Sequence, residues 1–269
     1  MIATLAFTFT NLRLDRSEPL AFVGLDNYVD MLRDRQVLDA LLVTFRFALL
    51  WLPVAVLLPF GVALLLNSRY VFGRGFFRVA FFLPYVVPFV AGVLIWQTIL
   101  GEAGWLNDAL RWVGIAEPPS WLRDGQWIYV SLVMMGLWGI GAGIIINLAG
   151  LRGIPTELYD AARIDGAGFW SQLRHVTVPL MSPVLFFTLV LGVVEVMQYF
   201  LVPLVMNNGT GEPGGSTMFF NLYLYKQFFT AQDMAYGATL AWLLFGITML
   251  ITLVLFRTSR RWVYYAAER

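Results

Sequence analysis

Five apolar stretches, at about residues 41–66, 77–100, 127–150, 180–206 and 236–256, dominate the chain. Each is long enough to cross a bilayer as a helix, which takes about 20 apolar residues. The remainder of the composition agrees, because 269 residues that are 59% hydrophobic and only 13% charged carry more apolar surface than one soluble core could bury. The expected class is an all-α polytopic membrane protein with five full transmembrane helices. A sixth apolar run, residues 1–9, stops at Thr10-Asn11 and is too short to span alone. It reads as a partial N-terminal helix, the tail of a first span with a shortened start, or as an interfacial anchor. No basic region precedes it and no small-x-small site follows it, which disfavours a cleavable signal peptide.

Charge is spread unevenly over the connecting segments. Arg69, Arg74, Arg78, Arg152, Arg163, Arg174, Arg257, Arg260, Arg261 and Arg269 fall in alternate loops or the C-terminal tail, against only Glu157, Asp160, Asp165 and Glu268. The other set of loops carries seven bases and twelve acids, among them Arg16, Asp15, Asp124, Glu212 and Asp233. Basic short loops stay on the cytoplasmic side, so the first set is expected inside, and segments 10–40, 101–126 and 207–235 outside. In 101–126 and at its edge, Trp105, Trp112, Trp121 and Trp127 suggest interfacial helices. Asn207–Thr217 reads as a glycine-rich turn, and Met218–Phe229 as an aromatic stretch along the outer surface.

Several chemistries start with little support. There is no cysteine, and His175 is the one histidine, expected at the surface. No Gly-x-x-x-x-Gly-Lys-Ser/Thr phosphate loop occurs, so hydrolysis of ATP by this chain is not expected. The informative polar segment is 152–179, between the third and fourth spans. Pro155-Thr156-Glu157 is a helix start, and Asp165-Gly166 can close that helix, since glycine tolerates the left-handed exit. A second short helix from about Gly168 to His175 would follow before Pro179 opens the next span. The result is a compact elbow, too short and too polar to cross the membrane.

Glu157-Leu-Tyr-Asp160-Ala161-Ala162-Arg163-Ile-Asp165-Gly166-Ala167, followed by Val178-Pro179-Leu180 and Pro183, resembles the EAA loop of ATP-binding-cassette (ABC) importer permeases of the binding-protein-dependent carbohydrate type. Gly24-Leu-Asp-Asn-Tyr28, Arg78-Val-Ala-Phe-Phe-Leu-Pro84, Leu151-Arg-Gly-Ile-Pro155 and Gly214-Gly-Ser-Thr217 extend the resemblance from about residue 7 to the end. Asp160 departs from the usual Glu, Leu173 from Phe, and Val176 and Val178 from Ile and Leu. The resemblance implies one maltose-type inner-membrane permease domain over 1–269, with 152–179 as its cytoplasmic coupling loop. Glu157, Asp160, Ala161, Ala162, Arg163, Asp165 and Gly166 would serve ATPase coupling. It also implies no cofactor on this chain, ATP and Mg on a partner ATPase dimer, a second permease subunit forming a heterodimer, an extracytoplasmic solute-binding protein, and a prokaryotic inner membrane.

A substrate pathway needs polar groups at membrane depth, where they are costly. Glu195, with Gln198 and Tyr199 one turn away on the same face, is the leading cluster, and Trp138, Asn147, Trp96 and Gln97 offer similar chemistry. The plainer readings are that Glu195 pairs with Arg46 or with a partner subunit, and that the tryptophans anchor at the interface. Gly136, Gly139, Gly141 and Gly143 would let one helix approach another closely, at the dimer interface or beside the pathway. Pro53, Pro59, Pro84 and Pro88 mark possible kinks. Rival functions are the same machine carrying a glycerophosphate or an amine, a membrane-embedded lipid-modifying enzyme, and an ion-coupled transporter. A phosphorylated solute would call for basic groups where only Arg46 is available, and the enzyme would call for an interfacial acid or histidine cluster that the sequence lacks.

Overall fold

The computed structural model of the protein describes residues 2–15, 19–68 and 72–264, with all their side chains except those of Arg74 and Arg78. Of the charges compared above, Arg16, Glu18, Arg69, Glu268 and Arg269 lie outside the described residues, as does the first residue of the 1–9 run. In chain order the helices are α1 (Ile2–Phe7), α2 (Asp26–Arg33), α3 (Arg35–Asn67), α4 (Arg74–Val86), α5 (Phe89–Ile99), α6 (Trp105–Trp112) and α7 (Ile128–Leu137). They continue as α8 (Gly141–Arg152), α9 (Thr156–Ile164), α10 (Phe169–Gln172), α11 (Val178–Met197), α12 (Leu201–Met206), α13 (Phe220–Tyr225) and α14 (Met234–Ser259). Among the described residues, β-pairing is limited to two isolated bridges, Thr10 with Phe22 and Arg13 with Asp233.

Among the described residues, three helical stretches are long and apolar enough to cross a membrane: Arg35–Asn67, Phe169–Met206 and Met234–Ser259. The number rises to five if the broken pairs α4 with α5 and α7 with α8 each count as one span. The first break has a local cause. Val87 precedes Pro88, whose ring disfavours a helical conformation at the preceding residue, and Val87 is extended at φ −66° and ψ 132°. Pro53 and Pro59 have no such effect, because α3 runs on through both.

The chain forms two compact units. The first comprises Met1–Leu50, Phe89–Met135 and Val194–Leu250, and the second Trp51–Pro88, Gly136–Val193 and Ile251–Arg269. In the first, the rings of Phe47, Tyr199 and Phe219 pack together, with centroids 4.9 Å apart from Phe47 to Tyr199 and 5.3 Å from Phe47 to Phe219. Phe219, Phe220 and Leu222 are fully buried, and the Phe220 N–H donates to Thr44 Oγ1 at 2.9 Å. The aromatic stretch after residue 217 is therefore largely core and not an outer-surface layer, since its apolar side chains recur at helical spacing and close onto α3. Trp121 differs from the expected interfacial anchors in the same way. It is buried, and its Nε1–H donates to Asn107 Oδ1 at 2.6 Å, while Trp105 and Trp112 are exposed.

In the second unit, Phe60, Ala63 and Leu66 of α3 pack with Ile144, Leu148 and Leu151 of α8, Ile154, and Met181 of α11. Within a bilayer such contacts hold helices by close van der Waals fit rather than by escape from water. The glycines of α7 and α8 serve that fit inside the chain. A Cβ on Gly136 would stand 2.5 Å from the Trp51 ring, and one on Gly141 would stand 2.6 Å from the Phe81 carbonyl oxygen. Their close approach is thus to α3 and α4 of the same chain.

Candidate functional site

The elbow is built by ordinary helix chemistry. Pro155, at φ −57°, sets the entry to α9. Glu157 lies in the first turn and Arg163 in the last, each at the helix end whose partial charge it complements. At the exit, the Ala167 N–H donates to the Ala162 carbonyl at 2.8 Å and the Gly166 N–H to the Arg163 carbonyl at 3.0 Å. Those are the two bonds of a Schellman motif, and Gly166 supplies the left-handed residue it needs, at φ +79°. The chain then turns into α10.

Beyond α10 the second limb does not stop. Leu173–Thr177 forms a π turn, closed by the Val178 N–H donating to the Leu173 carbonyl, and α11 follows without a gap. The reason lies in Pro179, which has no N–H for the carbonyl four residues back and whose ring crowds it; the wider turn relieves both. A separate second helix was expected, but α10, the π turn and α11 run on without a gap from Phe169 to Met197. The Tyr159 hydroxyl meets Thr177 Oγ1 at 3.0 Å, and Tyr159, Leu173 and Val176 pack on the core around Met181. These ties brace the first limb against the joint. They escaped sequence reading because Tyr159 and Thr177 belong to opposite limbs and carry no joint signature.

On its outer side the elbow keeps unspent surface. Glu157, Asp160, Ala161, Arg163, Asp165 and Gly166 are exposed, and Ala162 is half-buried. Asp160 accepts from Arg163 Nη1 at 2.8 Å, an i,i+3 pair with both side chains more than half exposed, and such pairs contribute about 0–1 kcal/mol. Ile164 is 87% exposed and Trp170 77%, with Phe169 also exposed, so the loop presents apolar side chains among its charges. Sequence reading passed over these three because it weighed the segment as polar. His175 is exposed, its Nδ1 lying 2.9 Å from the Ser171 carbonyl.

Of the expected pathway residues, Glu195, Gln198, Tyr199, Trp96 and Gln97 belong to the first unit, and Trp138 and Asn147 to the second. Glu195 and Gln198 are exposed near the end of α11, and the Gln198 carbonyl accepts from Asn221 Nδ2 at 2.8 Å. Tyr199 does not share their face. The helix ends at Met197, so the spacing of a helical turn no longer applies, and the ring turns into the cluster with Phe47 and Phe219. Among the described residues, no ion pair joins Arg46 to Glu195. Gln97 Nε2 donates to the Met206 carbonyl at 2.6 Å, tying α5 to α12, while Trp96 is half-buried. Trp138 is half-buried. Asn147 is fully buried, its Nδ2 donating to the Gly143 carbonyl at 2.8 Å, so here it faces core.

The first unit holds a second polar centre that sequence reading missed. Asp34 Oδ2 accepts from the hydroxyls of Tyr223 and, at 2.7 Å, Tyr236, while Oδ1 accepts from the Gln36 N–H at 2.9 Å. Partial burial pushes the Asp34 carboxyl up, but the bonds from Tyr223, Tyr236 and the N–H groups of Gln36 and Val37 outweigh it, leaving the pKa below its ordinary value. Burial, then the carboxylate's hydrogen bond and charge, push Tyr223 the other way, well up. An open cleft beside this knot is lined by Gln36, Asp39, Lys226 and Gln227 together with Ala40, Met218 and Tyr223.

Residues 30–269 match the family described as "Binding-protein-dependent transport system inner membrane component". The chain is 32% identical to the probable ABC transporter permease protein YesP of Bacillus subtilis, over 100% of this chain and 86% of that protein. It is 30% identical to the trehalose/maltose transport system permease protein MalF of Thermococcus litoralis, over 89% of this chain and 80% of that one. In fold it is similar to a chain of a bacterial ABC transporter involved in the import of the acidic polysaccharide alginate, with a TM-score of 0.83 at 20% identity, covering 97% of this chain and 89% of that one. A family match over nearly the whole length, joined to apolar helices of spanning length, establishes that this multi-pass membrane protein belongs to the binding-protein-dependent transport system inner membrane components, as a transport permease subunit and not an enzyme.

Proposed function

We propose that this chain is a permease subunit of an ABC importer that translocates a sugar delivered by an extracytoplasmic binding protein. Relatives named for lactose, for trehalose/maltose and for arabinooligosaccharides support the solute class. A transporter similar in fold has been captured with an alginate pentasaccharide-bound periplasmic protein, which supports the mode of delivery. In this reading both units belong to one permease domain of five full spans and a partial first one, in a prokaryotic inner membrane, with the elbow under the inner leaflet. Its partners are a second, non-identical permease subunit and a separate ATPase dimer that binds ATP and Mg.

The observation that carries the mechanism is the elbow itself. Its inner side is fastened to the core, its outer side offers charged and apolar groups to a neighbour, and its second limb is continuous with α11. A push on Asp160, Arg163 and Ile164 therefore has a stiff route into a span, the kind of bistable lever through which nucleotide-driven closure moves a helix bundle. Glu157 and Asp165 add charge to the docking face, Ala161 and Ala162 permit close approach, and Gly166 sets the angle. Along the pathway, Glu195 of α11 and Gln198 just past its end are the leading polar groups at membrane depth, with Trp96, Gln97, Tyr199, Trp138 and Asn147 in supporting positions. The test is co-purification with an ATPase subunit, then a panel of sugars for binding-protein-stimulated ATP hydrolysis. Stimulation by a neutral sugar is expected; failure of any ATPase to associate would remove the reading.

A further inference from the structure

Ser182 sits one turn into α11, between Pro179 and Pro183. In an α-helix the N–H of residue 183 would donate to the carbonyl of residue 179, but a proline has none to give. The Pro179 carbonyl is filled from elsewhere, because Ser182 Oγ–H donates to it at 2.7 Å. That hydroxyl oxygen accepts in turn from the Tyr264 backbone N–H at 2.8 Å. Residue 264 lies beyond the end of α14, where the chain reverses through the Trp262 and Val263 N–H groups, both bonded to the Ser259 carbonyl. Apolar contacts reinforce the tie, since the buried Phe186 ring meets Phe256 at 5.0 Å and Trp262 at 5.6 Å, both edge-on.

We infer that Ser182 is a positioning residue for transport, whose hydroxyl relays a hydrogen bond from the C-terminal tail to the carbonyl that Pro183 leaves without a helical donor, so that elbow, start of α11 and tail move as one body. Two prolines and a π turn within eleven residues would otherwise make this joint the softest part of the lever. The relay restores a bond at the weakest point and fastens it to a second long helix. A force entering at the elbow then reaches α11 and the end of α14 together. The transport role rests on the importer reading, whereas the fastening does not.

The chain contains no cysteine, so nitroxide labels can be placed at will. Labels on S171C and R261C, both exposed positions, report the distance between elbow and tail. The permease is measured alone, then assembled with its ATPase subunits, both nucleotide-free and trapped with ATP, Mg and vanadate. A single narrow distribution, unchanged by trapping, is expected for the wild-type background and for Ser182→Thr, which keeps the hydroxyl. Ser182→Ala is expected to broaden it at least twofold in the permease alone and to cut the response of the assembly, read as binding-protein-stimulated ATP hydrolysis, at least threefold, with basal hydrolysis kept. Equal widths in Ser182→Ala and wild type would overturn the relay. A distance that shifts on trapping in the wild type would overturn the single body, and broadening without loss of response would overturn the positioning role. If no ATPase associates, the importer reading fails while the permease-alone comparison still decides the fastening.

Discussion

Asp34 caps the end of α2 and Asp160 lies in the middle of α9, but the sharper difference is that Asp34 is enclosed by two tyrosine hydroxyls and backbone N–H groups, whereas Asp160 pairs with Arg163 at the surface. The enclosed acid spends its hydrogen-bonding capacity holding α2, α13 and α14 in one arrangement. The exposed acid spends almost none, and its neighbours Ile164 and Trp170 are equally uncommitted. In a permease whose family works with other subunits, the contrast separates groups that hold the chain together from groups kept available for a neighbour.

The sharpest break of that comparison is Asp34→Ala. It leaves the Tyr223 and Tyr236 hydroxyls without their acceptor and is expected to cost about 2 kcal/mol in detergent thermal unfolding, with no direct effect on ATPase binding. Because the folded-state pKa of Asp34 is lowered, its contribution is full at neutral pH and is lost as pH falls through the carboxylate range. The gap between wild type and Asp34→Asn should therefore close on acidification. Gly166→Ala tests the elbow's bend, forcing a Cβ into the left-handed region at about 1–2 kcal/mol, and is expected to expose the elbow to limited proteolysis while the spans stay folded. Asp160→Lys should do the reverse of Asp34→Ala. Unfolding would stay within about 0.5 kcal/mol of wild type, while affinity for the ATPase subunit, read by titration, falls at least about tenfold, or about 1.4 kcal/mol. Unchanged affinity would remove Asp160 from the docking face. Smallest is Tyr159→Phe, which deletes the bond to Thr177 and should cost about 1 kcal/mol, read as faster hydrogen exchange in 173–177.

How far the sequence carried differs along the same line. The apolar stretches and the Schellman exit at Gly166 were legible because each rests on local rules, namely length, hydropathy and a residue able to turn left-handed. Asp34 was not, since its partners lie 189 and 202 residues away and nothing in the sequence joins them. Tyr199 was misplaced for a different reason. Its register with Glu195 assumed a helix that ends two residues earlier, and the aromatic cluster then took the ring. The Phe219–Phe220 pair looked like surface because hydropathy alone does not tell a core helix from an interfacial one.

The π turn at Leu173–Thr177 has one more effect. A turn that holds one extra residue rotates the helix before it by about 100° relative to the helix after it. The azimuth at which α10 presents Phe169 and Trp170 is thereby set apart from that of the start of α11. Removing a single residue from that turn would re-phase α10 against α11 and pull Leu173, Val176 and Thr177 out of register with Tyr159 and the core around Met181, so this short segment fixes the phase between the elbow and the start of α11.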